Sequence, residues 1–121
     1  HGTELVLIKA PSLSPVWWDQ WEEQIEEYAE KHDLTYWNFL EYQEEIGIDW
    51  NTDTYDTGLH LNVYGAEKMS RFFGQLLVDT FDLPDRRSDT ALSAVWAEKV
   101  ETYNERKLTL ETQTFTDIEG E

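Results

Sequence analysis

The sequence contains no cysteine and only three histidines, which lie far apart at positions 1, 32 and 60. The absence of thiols excludes disulfide bonds and thiolate metal sites, and three scattered imidazoles argue against a transition-metal centre. No apolar run approaches the roughly 20 residues that a membrane-spanning helix requires. The chain is therefore expected to depend on its hydrophobic core and to need no metal, cofactor or membrane span.

Basic residues are also scarce. The 121 residues include 9 Lys and Arg against 26 Asp and Glu, which gives a formal net charge of −17. Because binding to nucleic acid or to an anionic membrane surface requires a basic face, this balance argues against both kinds of partner. Hydrophobic residues make up 40% of the chain, which is enough for the packed core of one domain.

The order of the predicted elements is typical of an α/β fold. A short apolar run, Glu4–Lys9, precedes Pro11 and predicts a buried parallel strand. A run rich in aromatic residues, Leu34–Leu40, predicts a second strand. An amphipathic helix from Pro15 to about Lys31 separates the two runs, so the three elements form a βαβ unit with parallel strands.

Apolar residues spaced three and four apart predict the buried faces of three helices. The first helix is expected to be capped by Ser14, the second to run from about Val63 to Phe81, and the third to begin near Ser88 or Asp89. The residues expected to be buried are Trp18, Trp21, Ile25, Tyr28 and Ala29 on the first helix, Met69, Phe72, Phe73, Leu76 and Leu77 on the second, and Leu92, Val95, Trp96, Val100 and Tyr103 on the third. The glutamates of the first helix are interpreted as its solvated face.

Two parallel strands do not form a stable sheet by themselves, because such strands are normally covered on both faces and flanked by further strands. The predicted elements therefore resemble half of an α/β domain, whose other half is either missing or supplied by a second copy of the chain. The chain opens on His1 without a methionine and is interpreted as a fragment. Residues 1–83 are expected to form the C-terminal part of the α/β domain, and residues 84–121 a C-terminal helix with an acidic tail.

The segment between the second strand and the second long helix contains the candidate catalytic residues. In parallel α/β sheets, ligands bind outside the carboxyl ends of the strands, and His60 is the only histidine predicted to lie there. A carboxylate from Asp56 or Asp53 could hold one ring nitrogen of His60 and leave the other free as a general base. Gly58 allows the turn that this requires, and Asn62 can cap the helix that follows.

The stretch Asp56-Thr-Gly-Leu-His60-Leu-Asn-Val-Tyr-Gly65 resembles the last conserved block of the SGNH (GDSL-like) hydrolases. The form of this block is similar to the bacterial branch related to cell-wall alanylation and alginate O-acetylation proteins. The resemblance covers roughly residues 4–83 and implies a flavodoxin-like fold. It also implies that His60, with Asp56 or Asp53, completes a Ser-His-Asp triad, in which serine attacks an acyl carbonyl.

The sequence departs from the family pattern in two respects. Three residues separate Asp56 from His60 where the family has two, which keeps Asp53 open as the orienting acid. The chain also lacks the Gly-Asp-Ser nucleophile block and the Gly-x-Asn block of the oxyanion hole, which precede this region in the family. Ser12 and Ser14 follow a strand, but neither has the glycine-flanked elbow of a nucleophile, so the missing blocks are expected upstream of His1.

The resemblance implies a serine esterase or O-acyltransferase that acts on acylated carbohydrate or cell-envelope polymer, in an extracytoplasmic or cell-envelope location. This piece is expected to be inactive alone. Trp37 and Trp50 are the tryptophans predicted to lie near a sugar, and a calcium loop at Asp49–Asp53 is disfavoured because it lacks the required glycine and glutamate. The alternative is a non-catalytic acidic α/β interaction domain that pairs through an exposed sheet edge.

Overall fold

The structure, a computed structural model, describes residues 2–13 and 16–118, with side chains as far as Leu110. In chain order its elements are β1 (Val6–Lys9), α1 (Asp19–Lys31), β2 (Thr35–Asn38), α2 (Gln43–Ile46), α3 (Val63–Phe81) and α4 (Thr90–Ile118). β1 and β2 pair in parallel as the only sheet of the described residues. The prediction of a mixed α/β architecture is thus confirmed at the level of a small parallel sheet with helices, and each strand is shorter than predicted.

The chain divides into two compact units, His1–Leu76 and Leu77–Glu121. The first unit contains the sheet, α1, α2 and most of α3, together with the candidate site. The second contains the last turn of α3 and the whole of α4. The Asp89 side chain accepts a hydrogen bond from the Leu92 N–H at 3.1 Å, which caps α4 where the sequence predicted its start. Ser14, the predicted cap of α1, lies outside the described residues.

An aromatic cluster at the end of β2 forms the core of the first unit. Phe39 is fully buried, and its ring meets those of Phe72 and Phe73 edge to face at 6.3 Å and 5.4 Å between centroids. Trp37 also packs edge to face against Phe73 at 6.0 Å. Such aromatic pairs add about 0.5–1.5 kcal/mol each beyond their buried area, so these contacts attach α3 to the sheet.

α1 packs on the sheet through a different stripe from the predicted one. Ala29 is buried as expected and Ile25, also expected to be buried, is half-buried, but Trp18, Trp21 and Tyr28 are exposed. The prediction that these three aromatic residues belong to the core is therefore wrong. A two-stranded sheet is narrow and covers only one side of a helix, and the side that it covers also includes the half-buried Glu22.

The predicted burial of the apolar face of α4 is also wrong. Val95, Trp96, Val100 and Tyr103 are exposed, and Leu92 is half-buried. In the described part of its own unit, α4 has only the last turn of α3 and a loop to pack against. Trp96 instead contacts the Lys99 ammonium, which lies 4.9 Å from the centroid of the indole ring.

Candidate active site

Two of the predicted catalytic residues, Asp56 and His60, lie at the tip of a closed loop between α2 and α3, and the third, Asp53, lies at its neck. At the neck of this loop, Thr54 and Leu61 form an antiparallel bridge, and the Asn62 N–H donates to the Asp53 carbonyl oxygen at 2.8 Å. One step nearer the tip, the Tyr55 N–H donates to the carbonyl oxygen of His60 at 3.1 Å. These hydrogen bonds hold both ends of residues 55–60 together, which brings Asp56 and His60 to the same turn.

Asp56 holds His60 through both of its carboxylate oxygens. Oδ2 lies 2.7 Å from Nδ1 of the His60 ring, and Oδ1 accepts hydrogen bonds from the backbone N–H groups of His60 at 2.8 Å and of Leu59 at 3.2 Å. The carboxylate is therefore fixed by the same residue whose ring it orients. Two successive residues in the left-handed region, Thr57 (φ 57°) and Gly58 (φ 101°), accommodate the three-residue spacing between the acid and the histidine.

The electrostatics of this pair suit a carboxylate that stays ionised. The hydrogen bond from the His60 ring, followed by that from the His60 N–H, holds the pKa of Asp56 below its usual value. The side chains remain open to solvent, with exposed fractions of 40% for Asp56 and 68% for His60. Within the described residues, Asp56 is the only hydrogen-bond partner of the ring. With Nδ1 occupied by the carboxylate, Nε2 is available to accept a proton.

Asp53, the other candidate acid, does not contact the imidazole. Its side chain is buried, and Oδ2 accepts hydrogen bonds from the Lys68 ammonium at 2.6 Å and from the Asp49 N–H at 2.8 Å. Of the two alternatives that the sequence left open, the structure brings only Asp56 to His60. Asp53 instead supports the loop neck, and its engagement with an ammonium group removes it from any cation site with Asp49.

The segment that follows β1 lies against the same loop. The Leu13 N–H donates to the Gly58 carbonyl oxygen at 2.7 Å, and the Ser12 hydroxyl lies 3.4 Å from the same oxygen. The histidine-bearing loop is thus adjacent to the chain that leaves the carboxyl end of a parallel strand, where ligands bind in α/β sheets. Ser14, the other serine considered as a nucleophile, lies outside the described residues.

The two tryptophans predicted to lie near a sugar have local partners. Trp37 packs on Phe39 and Phe73, and the Trp50 indole N–H donates to the Gln43 side chain at 3.1 Å. Trp50 also borders the loop, because its carbonyl oxygen accepts a hydrogen bond from the Thr54 hydroxyl at 2.8 Å. Both are half-buried, and Trp50 lies closer along the chain to the loop neck.

Sequence reasoning missed a second polar cluster, in which three side chains donate to one oxygen of Glu22. The donors are the Trp17 indole, the Tyr36 hydroxyl at 3.0 Å and the Asn38 amide at 3.0 Å. Burial, followed by the hydrogen bond to Glu22, raises the pKa of Tyr36. The spacing of Glu22 from Ile25 and Ala29, three and then four residues, was the available signal that it faces the sheet.

Lys9, at the end of β1, lies near the same cluster. Its ammonium donates to the Ala10 carbonyl oxygen at 2.7 Å and lies 5.2 Å from the centroid of the Trp17 ring. Burial lowers the pKa of Lys9, and the negative charge of Glu22 acts in the opposite direction. The strand-end lysine thus belongs to the Glu22 cluster rather than to the loop that carries His60.

The described residues contain neither a candidate membrane-spanning helix nor a candidate metal cluster. No helix of the described residues has the length and apolarity needed to cross a membrane. Within the same residues, no three His, Cys, Asp or Glu side chains form a group suited to a metal ion. No protein-family model matches the chain, and no curated protein or solved structure matches it either.

Proposed function

We propose that residues 1–83 are the C-terminal part of an SGNH-type hydrolase domain with a flavodoxin-like fold, and that they supply two members of a Ser-His-Asp triad. The observation that carries this proposal is the 2.7 Å contact between His60 Nδ1 and Asp56 Oδ2, in a loop between a strand and a helix. A carboxylate on Nδ1 fixes the tautomer in which Nε2 accepts the proton of a serine hydroxyl.

In the proposed reaction, the parent protein transfers an acyl group from an ester. A serine hydroxyl attacks the acyl carbonyl and gives its proton to Nε2 of His60, and the alcohol then leaves with that proton. Water or an acceptor hydroxyl removes the acyl group from the serine in the second half of the reaction. Asp56 keeps the imidazole oriented and stabilises the imidazolium that forms in each half.

The nucleophile and the oxyanion hole are proposed to come from polypeptide outside residues 1–121. A histidine and an acid without a hydroxyl to activate and without donors for the oxyanion lack most of the rate enhancement of a triad. The substrate class proposed from the resemblance is acylated carbohydrate or cell-envelope polymer, in an extracytoplasmic setting. The exposed Tyr55 ring, which precedes Asp56 in the chain, offers a flat apolar surface suited to a sugar.

The first test measures hydrolysis of p-nitrophenyl acetate by the 121-residue chain and by its His60→Ala variant. The expected result is that the two rates are the same, because this chain lacks a serine in the required setting. The Ser12→Ala and Ser14→Ala variants serve as controls. If the wild-type rate exceeds that of His60→Ala and falls in either serine variant, the nucleophile lies within this chain and its proposed location is wrong.

The second test uses the longer polypeptide encoded by the same gene, provided that it carries a Gly-Asp-Ser-like block upstream. We expect this protein to hydrolyse p-nitrophenyl acetate and to react with a fluorophosphonate probe, and we expect His60→Ala to abolish both. The His32→Ala variant is the matched control, because His32 follows α1 and its ring packs on the Tyr28 ring of the same helix, at 4.4 Å between centroids. A gene that encodes no such block, or a polypeptide whose activity survives His60→Ala, would contradict the proposal.

A second candidate function, a non-catalytic domain that pairs through its sheet, is favoured by exposed apolar residues on and beside β1. Leu5 and Ile8 are 58% and 48% exposed, and the described residues supply β1 with one neighbouring strand. Unpaired N–H and C=O groups along the other edge can accept a strand from a second copy or from the missing half of the domain.

Light scattering across a salt series tests this candidate. Two chains of charge −17 repel each other at low salt, and the Debye length falls to about 8 Å at 0.15 M, so association should strengthen as salt is added. Burial of several hundred Å² of apolar surface at about 25 cal/mol per Å² supplies the attraction. The Ile8→Lys variant should remain monomeric while the Val16→Lys control associates, and a wild-type monomer at every salt concentration would exclude self-pairing.

A further inference from the structure

We propose that Lys68 is a positioning residue for His60 and Asp56, acting through the buried carboxylate of Asp53; this inference rests on the function proposed above. Lys68 lies on α3, and its ammonium is the only cation that contacts Asp53 among the described residues. It touches neither His60 nor Asp56, so any effect on them passes through the loop. The chain of contacts begins with this ion pair and ends at the imidazole.

The Lys68 ammonium connects three segments of the first unit. It donates to Oδ2 of Asp53 at 2.6 Å and to the Gly47 carbonyl oxygen, just after α2, at 2.9 Å. The same Asp53 oxygen accepts a hydrogen bond from the Asp49 N–H at 2.8 Å. Helix α3, the end of α2 and the start of the loop are thereby fixed around a single carboxylate.

Asp53 transmits this restraint to the neck of the loop through its backbone. Its carbonyl oxygen accepts a hydrogen bond from the Asn62 N–H at 2.8 Å, and its N–H donates to the Asp49 carbonyl oxygen at 2.8 Å. The next residue on each side of the neck, Thr54 and Leu61, forms the antiparallel bridge. The residues that carry Asp56 and His60 begin directly beyond that bridge, so the neck sets where the two side chains meet.

The close approach of α3 to Asp53 leaves the neck little freedom while the ion pair is intact. A Cβ atom placed on Gly65 would lie 2.4 Å from the Asp53 carbonyl oxygen, so only glycine permits this approach. Asn62 adds a second attachment, because its side-chain amide donates to the Thr52 carbonyl oxygen at 2.7 Å while its own oxygen accepts the Tyr64 N–H at 3.0 Å. The neck is therefore attached to the first turn of α3 as well as to Lys68.

Removal of the lysine charge would leave Asp53 as a buried carboxylate without a counter-ion. Its side chain is 4% exposed, and an unpaired charge in that environment must gain water, take up a proton or move. A carboxylate that gains water or moves would displace the Asp53 backbone, which is part of the neck. The Asp56 pKa provides a suitable readout, because it is held down by His60 and Leu59 and not by the charge of Lys68 itself.

The test is an NMR titration of the Asp56 carboxyl carbon in the 121-residue chain, combined with ring ¹⁵N shifts of His60 at neutral pH. In the wild type we expect a depressed Asp56 pKa and a proton on Nδ1 of His60. In Lys68→Met, Asp56 should lose about half or more of that depression and the ring should become a mixture of tautomers. Lys31→Met, which removes the same charge from the last turn of α1, should change neither reading.

Asp53→Asn is the second variant, and it keeps the shape of the side chain while removing its charge. Asp53→Asn should shift the Asp56 pKa and the His60 tautomer ratio in the same direction as Lys68→Met. Folded variants, by near-ultraviolet circular dichroism, with wild-type readings for Asp56 and His60 would overturn the inference. Failure of both variants to fold would overturn it as well, because the ion pair would then maintain the unit as a whole rather than position the loop.

These readings need neither a substrate nor the missing nucleophile. Failure of the proposed function would appear as a longer polypeptide whose ester hydrolysis survives His60→Ala. Failure of the present inference would appear as an Asp56 pKa and a His60 tautomer that do not respond to Lys68 or Asp53. The two results are independent of each other.

Discussion

Glu22 and Asp56 are both carboxylates that accept three hydrogen bonds, but they differ in what they leave unsatisfied. Glu22 is half-buried, and one of its carboxylate oxygens accepts hydrogen bonds from the side chains of Trp17, Tyr36 and Asn38. Asp56 is exposed, and its partner His60 retains a ring nitrogen without a hydrogen bond to any described residue. Donors that converge on a carboxylate between a helix and a sheet hold structure together, whereas an oriented imidazole open to solvent can take part in a reaction.

The largest expected difference between the two clusters is in activity. In a longer polypeptide that carries the proposed nucleophile, Asp56→Asn should reduce kcat by about 10³- to 10⁴-fold, because the imidazole loses the carboxylate that fixes its tautomer. Glu22→Gln should leave kcat within about twofold of the wild type. Steady-state kinetics with p-nitrophenyl acetate measure both effects. Equal losses in the two variants would show that the Glu22 cluster also belongs to the site.

The next largest effect is a change in stability, and it concerns the packing of α3 against the neck of the loop that carries His60. Gly65→Ala should lower the free energy of unfolding by about 1–3 kcal/mol, because the new methyl group would overlap the Asp53 carbonyl oxygen. Gly74→Ala, on the same helix, places its added carbon more than 4 Å from every heavy atom beyond its chain neighbours and the nearby helix backbone, and should stabilise the protein by about 0.5–1 kcal/mol. Urea denaturation of both variants distinguishes these results. A stable Gly65→Ala protein would mean that the neck is not tightly packed against α3.

A smaller effect is expected from Glu22→Gln in the other cluster. The amide keeps one acceptor oxygen but loses the charge that strengthens its three hydrogen bonds, so the free energy of unfolding should fall by about 1–2 kcal/mol. Glu23→Gln, on the exposed face of the same helix, should lie within about 0.5 kcal/mol of the wild type. Urea midpoints measured side by side test this, and equal stabilities for the two variants would restore the interpretation of Glu22 as a solvated glutamate.

The smallest expected effect is a change in acid sensitivity. Because the folded-state pKa of Asp56 is lowered, its contribution to stability is present above the unfolded value near 3.9 and is lost as the pH falls through the folded pKa. Asp56→Asn should therefore show a shallower fall in urea midpoint below about pH 4 than the wild type. Glu27→Gln, on the exposed face of α1, provides a control for the loss of one negative charge. Parallel acid profiles for the wild type and Asp56→Asn would contradict this prediction.

Local sequence patterns predicted most of the secondary structure. The apolar spacing of Met69, Phe72 and Phe73 indicated a helix from about Val63 to Phe81, where α3 lies. The two runs on either side of the first helix gave the parallel strands, and turn-forming residues before His60 indicated the loop. These features depend on periodicity and on residues near one another in the chain, which a sequence displays directly.

Patterns of the same kind failed where burial depends on what covers a surface. Trp18, Trp21 and Trp96 have the spacing of core residues but are exposed, since a helix buries only the side that a neighbouring element covers. Glu22 has the composition of a solvated residue but is in contact with the sheet, because Tyr36 and Asn38 approach it from β2. No local property of the sequence specifies those partners.

The candidate site shows the same division. The sequence alone placed His60 beside two possible acids in a loop that precedes a helix, because residue types and spacing are local. Only the tertiary structure separated the two acids. Lys68, which follows Asp53 by 15 residues, neutralises that buried carboxylate, and the left-handed turn at Thr57 and Gly58 directs Asp56 to the imidazole. The choice depended on a long-range ion pair and on backbone conformation, and the spacing of Asp53 and Asp56 from His60 encodes neither of them.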